Sequence, residues 1–108
     1  MSSHDHNVYY APETWGLKSV GEIEYSTRVC EFDTRVIWQD GVGNFFTARD
    51  KGCSCPTPFG DFNTFEDLEI PTLKILIDEI NNNIKDNSMG NLQTAMLVID
   101  KLLELGLR

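Results

Sequence analysis

A chain of 108 residues, 41% hydrophobic and 10% aromatic, has the length and composition of one folded domain that can bury a core. Seventeen acidic residues against nine basic ones leave a formal net charge of -8, which opposes direct binding to nucleic acid or an anionic membrane, and the basic residues are scattered singly without a patch. The first seven residues carry no apolar run, no stretch reaches transmembrane length and the cysteines number three, so the expectation is a cytoplasmic setting with free thiols.

In chain order, residues 1–16 read as an extended or turning N-terminal arm. His4 and His6 have a metal-like spacing at a polar end, and Tyr9, Tyr10 and Trp15 are aromatics able to lie on a core. Residues 17–51 form the β half. A first strand spans 17–26, with Val20 and Ile23 as its apolar points and Gly21 as a bulge between them.

The clearest strand covers 30–40. Cys30, Phe32, Thr34, Val36 and Trp38 fall on one face, and Glu31, Asp33, Arg35 and Gln39 on the other, the alternation of a half-buried strand. Gly41, Val42, Gly43 and Asn44 supply a turn, after which 45–51 return as the second arm of a hairpin. Keeping apolar residues on one face selects the register with Trp38 opposite Phe46 and Val36 opposite Ala48, which places Cys30 against the region of Cys53 and Cys55.

Residues 52–70 form a Cys/Pro loop and a short helical turn. Two cysteines one residue apart, set between a glycine and two prolines, cannot continue a central strand or a helix. Thr64 followed by Asp67 three residues later has the spacing of a capping box. Residues 71–108 carry two helices. Pro71 suits a first helical position, Leu76, Ile77, Ile80 and Ile84 mark one face, and Asn81, Asn82 and Asn83 weaken the end. The last helix runs over 91–105 with Gly106 as its stop. Its apolar positions, from Leu92 to Leu105, cover more than one stripe, so either this helix is central to the core or its second edge makes a homo-oligomeric contact.

The expected fold is therefore α+β: a small antiparallel β-sheet with a central hairpin, packed on its apolar face against two C-terminal helices. The expected core is Trp38, Val36, Phe32, Phe46, Leu76, Ile80, Met96 and Ile99.

No catalytic motif supports an enzyme. There is no nucleophile elbow, no zinc-protease helix and no phosphate-cradling glycine loop, and both histidines stand at the N-terminus. Carboxylates such as Glu22 and Glu24 read as solvated faces. No cofactor is expected, with one alternative: Cys30, Cys53, Cys55 and His6 are a Cys₃His set of the kind that holds structural zinc. The acidic run Asp61, Glu66, Asp67, Glu69 also admits mimicry of a nucleic acid by carboxylates.

The block Phe32-Asp-Thr-Arg-Val-Ile-Trp-Gln-Asp, the segment Phe46-Thr-Ala and the motif Gly52-Cys-Ser-Cys-Pro-Thr-Pro-Phe resemble a group of small uncharacterised proteins of tailed bacteriophages, chiefly those of actinobacteria. Tyr10-Ala-Pro-Glu-Thr-Trp-Gly-Leu is similar as well, so the likeness covers about half the chain and omits the two C-terminal helices. The resemblance implies no catalytic role. It implies a setting, the cytoplasm of an infected bacterial cell, and a non-enzymatic accessory protein that binds and inhibits or sequesters a bacterial host factor in host takeover or anti-defence.

The candidate binding surface is the loop with Cys53, Cys55, Pro56, Phe59, Asp61, Phe62, Glu66 and Asp67. A different class of function, an oligomeric sponge for a signalling nucleotide, needs converging basic groups, for which Arg28, Arg35 and Arg49 are the candidates.

Overall fold

The computed structural model describes residues 7–26, 31–53, 59, 65–84 and 89–108. A 3₁₀ turn at Pro12–Trp15 leads into β1 (Leu17–Glu24), followed by β2 (Glu31–Asp40) and β3 (Phe45–Cys53). A second 3₁₀ turn at Phe65–Asp67 precedes α1 (Leu73–Asn83) and α2 (Met89–Leu105). The strands form one antiparallel sheet in the order β1-β2-β3, with both helices following it in the chain, so the fold is α+β with a hairpin at its centre.

The hairpin register is the one that alternation selects: Trp38 faces Phe46 and Val36 faces Ala48. Its turn is organised by one side chain. The Asp40 carboxylate Oδ1 accepts from the backbone N–H groups of Val42, Gly43 and Asn44 at 3.0, 2.9 and 2.8 Å, and Oδ2 accepts from the Asn44 amide. Those hydrogen bonds from Asn44 and its neighbours hold the carboxyl below its ordinary range. Gly43 takes the positive φ of 106° that the reversal requires.

β1 carries its bulge between Ser19 and Gly21. One extra residue reverses the alternation: Leu17 packs with Trp38 on one face of the sheet, whereas Val20 and Ile23 pack with the helices on the other. At Gly21 the side chain of Val98 from α2 lies directly against β1. A Cβ there would stand 2.6 Å from Cγ1 of Val98, so only glycine lets the helix rest on the strand at this distance.

β2 is buried on both faces, not on one, and the helices cover the face opposite to Trp38. Thr34, Arg35, Val36, Ile37 and Trp38 are all buried. Ile37 joins Leu76, Ile80, Ala95, Ile99 and Leu102 in the core beneath the helices. Val36 and Trp38 instead meet Val8, Leu17, Ala48 and Phe59, with Tyr9, Trp15, Phe46 and Leu68 packed alongside. The physical reason is topological. A central strand hidden on one side only would leave Trp38 in water, so the N-terminal arm and Phe59 take that side. Phe32 and Phe46 are half-buried at its margins, and Met96, expected inside, is 53% exposed.

Phe59 is fully buried at a positive φ of 61°, strained for a residue with a Cβ. Its placement is over-determined. The ring stacks on Tyr9 with centroids 4.8 Å apart, its N–H donates to Asp50 Oδ2 at 2.8 Å, and its carbonyl accepts from Asn7 Nδ2 at 2.6 Å.

Helix α1 begins two residues later than the proline suggests. Thr72 is the N-cap, its hydroxyl accepting from the Ile75 N–H, and Pro71 lies outside the helix. α2 closes with Gly106 at φ 101° and a pair of bonds, Gly106 N–H to the Leu103 carbonyl and Leu107 N–H to the Leu102 carbonyl, the Schellman pattern with Leu107 and Leu102 both buried. Arg108 then returns its carbonyl to the Leu73 N–H, tying the end of α2 to the start of α1. Among the described residues no helix is long and apolar enough to cross a membrane.

Candidate functional site

Two groups of side chains stand out, one closed upon itself and one open to solvent. The closed group lies between the sheet and α1. Glu79 is brought to the sheet because Leu76, Glu79, Ile80 and Asn83 share the inward face of the helix. Its carboxylate accepts from Arg35 Nε at 3.0 Å, Arg35 Nη2 at 2.5 Å and the Tyr25 hydroxyl at 2.7 Å.

Arg49 donates to both oxygens of Asp33 at 2.7 Å, approaches Glu79 at 3.4 Å, donates to Asn83 Oδ1 at 3.1 Å and lies 4.9 Å over the Tyr25 ring. Burial opposes the charge on Glu79, but hydrogen bonds from Arg35 and Tyr25 and the two guanidinium charges outweigh it and hold the carboxyl below its ordinary value of 4.5. Burial, and then the bond to Glu79, pushes the Tyr25 phenol far above its usual range. Every charge here is already answered by another. The group binds α1 to the sheet.

The open group lies on the other face, at the margin beside β3. Phe65 stands 4.9 Å from Trp15 and 5.5 Å from Phe46, so aromatics from the N-terminal turn, β3 and the second 3₁₀ turn converge. Leu68, just beyond, packs into the core around Trp38. Glu69 pairs with Thr47 through two backbone hydrogen bonds of 2.8 Å, which fastens the segment to the outer edge of β3. Phe65 nevertheless stays 51% exposed and Ile70 70% exposed. Glu66, Asp67 and Glu69 are exposed in the same segment, and Glu13 is exposed in the turn that carries Trp15, although Glu69 also reaches Arg35 at 3.3 Å. The result is a fixed aromatic platform with an acidic rim.

The expected site residues distribute unevenly over this frame. Glu66 and Asp67 lie on the platform's rim. Phe59, expected on the surface, is inside, because its ring fills the space between Tyr9 and Trp38. Cys53 ends β3 opposite Glu31, and Cys55, Pro56, Asp61 and Phe62 lie outside the described residues. Of the alternative zinc set, Cys30, Cys55 and His6 are likewise outside them, and the described residues contain no group of three or more His, Cys, Asp or Glu placed to hold a metal ion.

Arg28 is outside the described residues as well, and Arg35 and Arg49 are engaged by Glu79, Glu69 and Asp33. An open depression of about 470 Å³ beside the β2–β3 turn contains a single basic side chain among its described lining residues, Lys18. Trp15 and Phe46 were not marked by sequence as site residues; their aromaticity was the available signal, and their convergence is long-range. No curated protein and no solved structure matches the chain significantly. Residues 6–104 match the family described as Domain of unknown function (DUF7574), nearly the whole length of the chain, and the protein therefore belongs to that family.

Proposed function

We propose that the chain is a non-enzymatic binding protein whose acid-rimmed aromatic platform docks a basic, partly apolar segment of another protein and so blocks or sequesters it. The observation that carries this reading is Phe65, half exposed yet seated on Trp15 and Phe46 and fastened by the Thr47–Glu69 bridge. A rigid aromatic anchor loses little freedom on binding, and aromatic side chains dominate interface energetics. Its neighbours Glu66, Asp67 and Glu69 define the complement. Lysine or arginine stacks over such rings, and the negative field of a chain at -8 speeds the approach of a basic partner. In the setting implied by the resemblance to small bacteriophage proteins, the partner is a bacterial host factor and the outcome is host takeover or anti-defence.

The test is comparative capture. The wild-type chain and a Phe65→Ala/Glu66→Lys variant are immobilised in host lysate, and any protein retained is purified and titrated against both. Loss of Phe65 is expected to cost on the order of 2 kcal/mol of binding, with association slowing as salt rises. A partner held equally by both proteins would remove the platform from its recognition.

A further inference from the structure

The helical layer differs in charge from the rest of the molecule. Among the described residues, the exposed charged side chains on α1, on α2 and after α2 are three cations, Lys74, Lys101 and Arg108, and three anions, Asp78, Asp100 and Glu104. Elsewhere among the described residues, six exposed carboxylates face only two exposed lysines. Glu79, the remaining charge of α1, is turned inward and neutralised by Arg35. The helical layer is thus the balanced surface of an otherwise acidic protein.

It is also the apolar one. Ile75, Ile77, Met96, Leu97 and Leu103 are five of the eight large apolar side chains exposed among the described residues. Met96 and Leu103, seven apart, occupy one edge of α2 with exposures of 53% and 51%, and Leu97 on the solvent side reaches 69%. Substituents of this size at such exposure mark a surface that gains from being covered.

We propose that this layer is the interface of a homodimer, the occupant of each helical face being the helical face of a second copy. The argument is electrostatic. Two copies that meet through any acidic surface repel one another, whereas this face brings equal numbers of both signs, which a two-fold axis can set against each other, around an apolar centre. A basic partner is drawn instead to the carboxylate-rich remainder of the surface, including the aromatic platform. The two surfaces are separate, so the dimer does not depend on the proposed function.

Sedimentation velocity of the full chain between about 1 and 100 μM tests the inference over the range of ordinary dimer affinities. The mass is expected to double with concentration. Association should strengthen with added salt, because screening relieves the repulsion between two acidic chains. A Leu97→Glu/Leu103→Glu variant should weaken dimerisation at least about tenfold with its circular dichroism unchanged, both residues being exposed in the single chain. Val42→Glu, in the exposed turn, should leave the mass unchanged.

A wild-type chain monomeric throughout overturns the proposal, as does a dimer that persists in the double variant. Should that variant not fold, hydrogen exchange of the wild-type chain decides: protection that grows with concentration on α1 and α2 supports the interface, and growth elsewhere or none overturns it.

Discussion

Glu79 Oε2 lies 2.5 Å from Nη2 of Arg35, and the two side chains are 11% and 8% exposed. The second carboxylate that touches Arg35, Glu69, is 71% exposed. The two acids therefore answer the same guanidinium under different conditions. Glu79→Gln leaves a buried arginine with one solvent-screened partner, and destabilisation on the order of 3 kcal/mol is expected. Glu69→Gln removes an exposed charge and should cost less than about 1 kcal/mol. Urea unfolding of the two variants checks the contrast, and equal losses would show that Glu79 does not anchor the helix.

The same carboxylate gives the fold a direction of pH dependence. Its folded-state value is depressed below 4.5, so the unfolded chain takes up the proton first as pH falls. The stabilisation is complete above that value and is lost below it as the folded carboxyl itself protonates. Acid titration followed by circular dichroism should show helical signal weakening below pH 4.5, and the Glu79→Gln variant should lack that part of the slope. Identical acid slopes in the two proteins would assign the effect to other carboxylates.

Gly21 has no room for a methyl group. With Val98 Cγ1 2.6 Å from where the Cβ would stand, Gly21→Ala must push α2 away from β1 or distort the bulge. A loss of roughly 1–3 kcal/mol is expected from such overpacking. A Val98→Ala change in the same chain should recover part of it, because it removes the obstructing methyl groups. A thermal melt of single and double variants measures the coupling, and strictly additive losses would show that the two residues do not meet.

How far the sequence disclosed this structure depends on the range of the interaction. The hairpin was legible because alternation, turn residues and register are decided within a few positions: Val36 opposite Ala48 and Trp38 opposite Phe46 follow from the strands themselves. The C-terminal end of α2 was legible for the same reason, Gly106 being a local stop, whereas its start lies at Met89 and not at 91. The side on which the helices pack was not. Asp33 and Arg35 gave β2 the appearance of a wet face, and only the distant Arg49 and Glu79 turn that face into an interior.

The candidate surface followed the same division. Glu66 and Asp67 were visible as an acidic run. The meeting of Trp15, Phe46 and Phe65 joins three separate stretches of chain, and no local pattern encodes it. Glu79 and Asn83 left a faint signal, polar residues at the helical spacing of Leu76 and Ile80.

The Asp40 carboxylate that gathers three successive amides implies an order of events as well as a shape. Closing a loop this short costs little chain entropy, so β2 and β3 can zip from Gln39 and Phe45 before either helix docks. Stopped-flow refolding of Asp40→Ala should then be slowed with its unfolding rate almost unchanged, whereas Gly21→Ala should chiefly accelerate unfolding. The protein would begin to fold at a turn whose residues, 41–44, stay exposed to solvent in the finished structure.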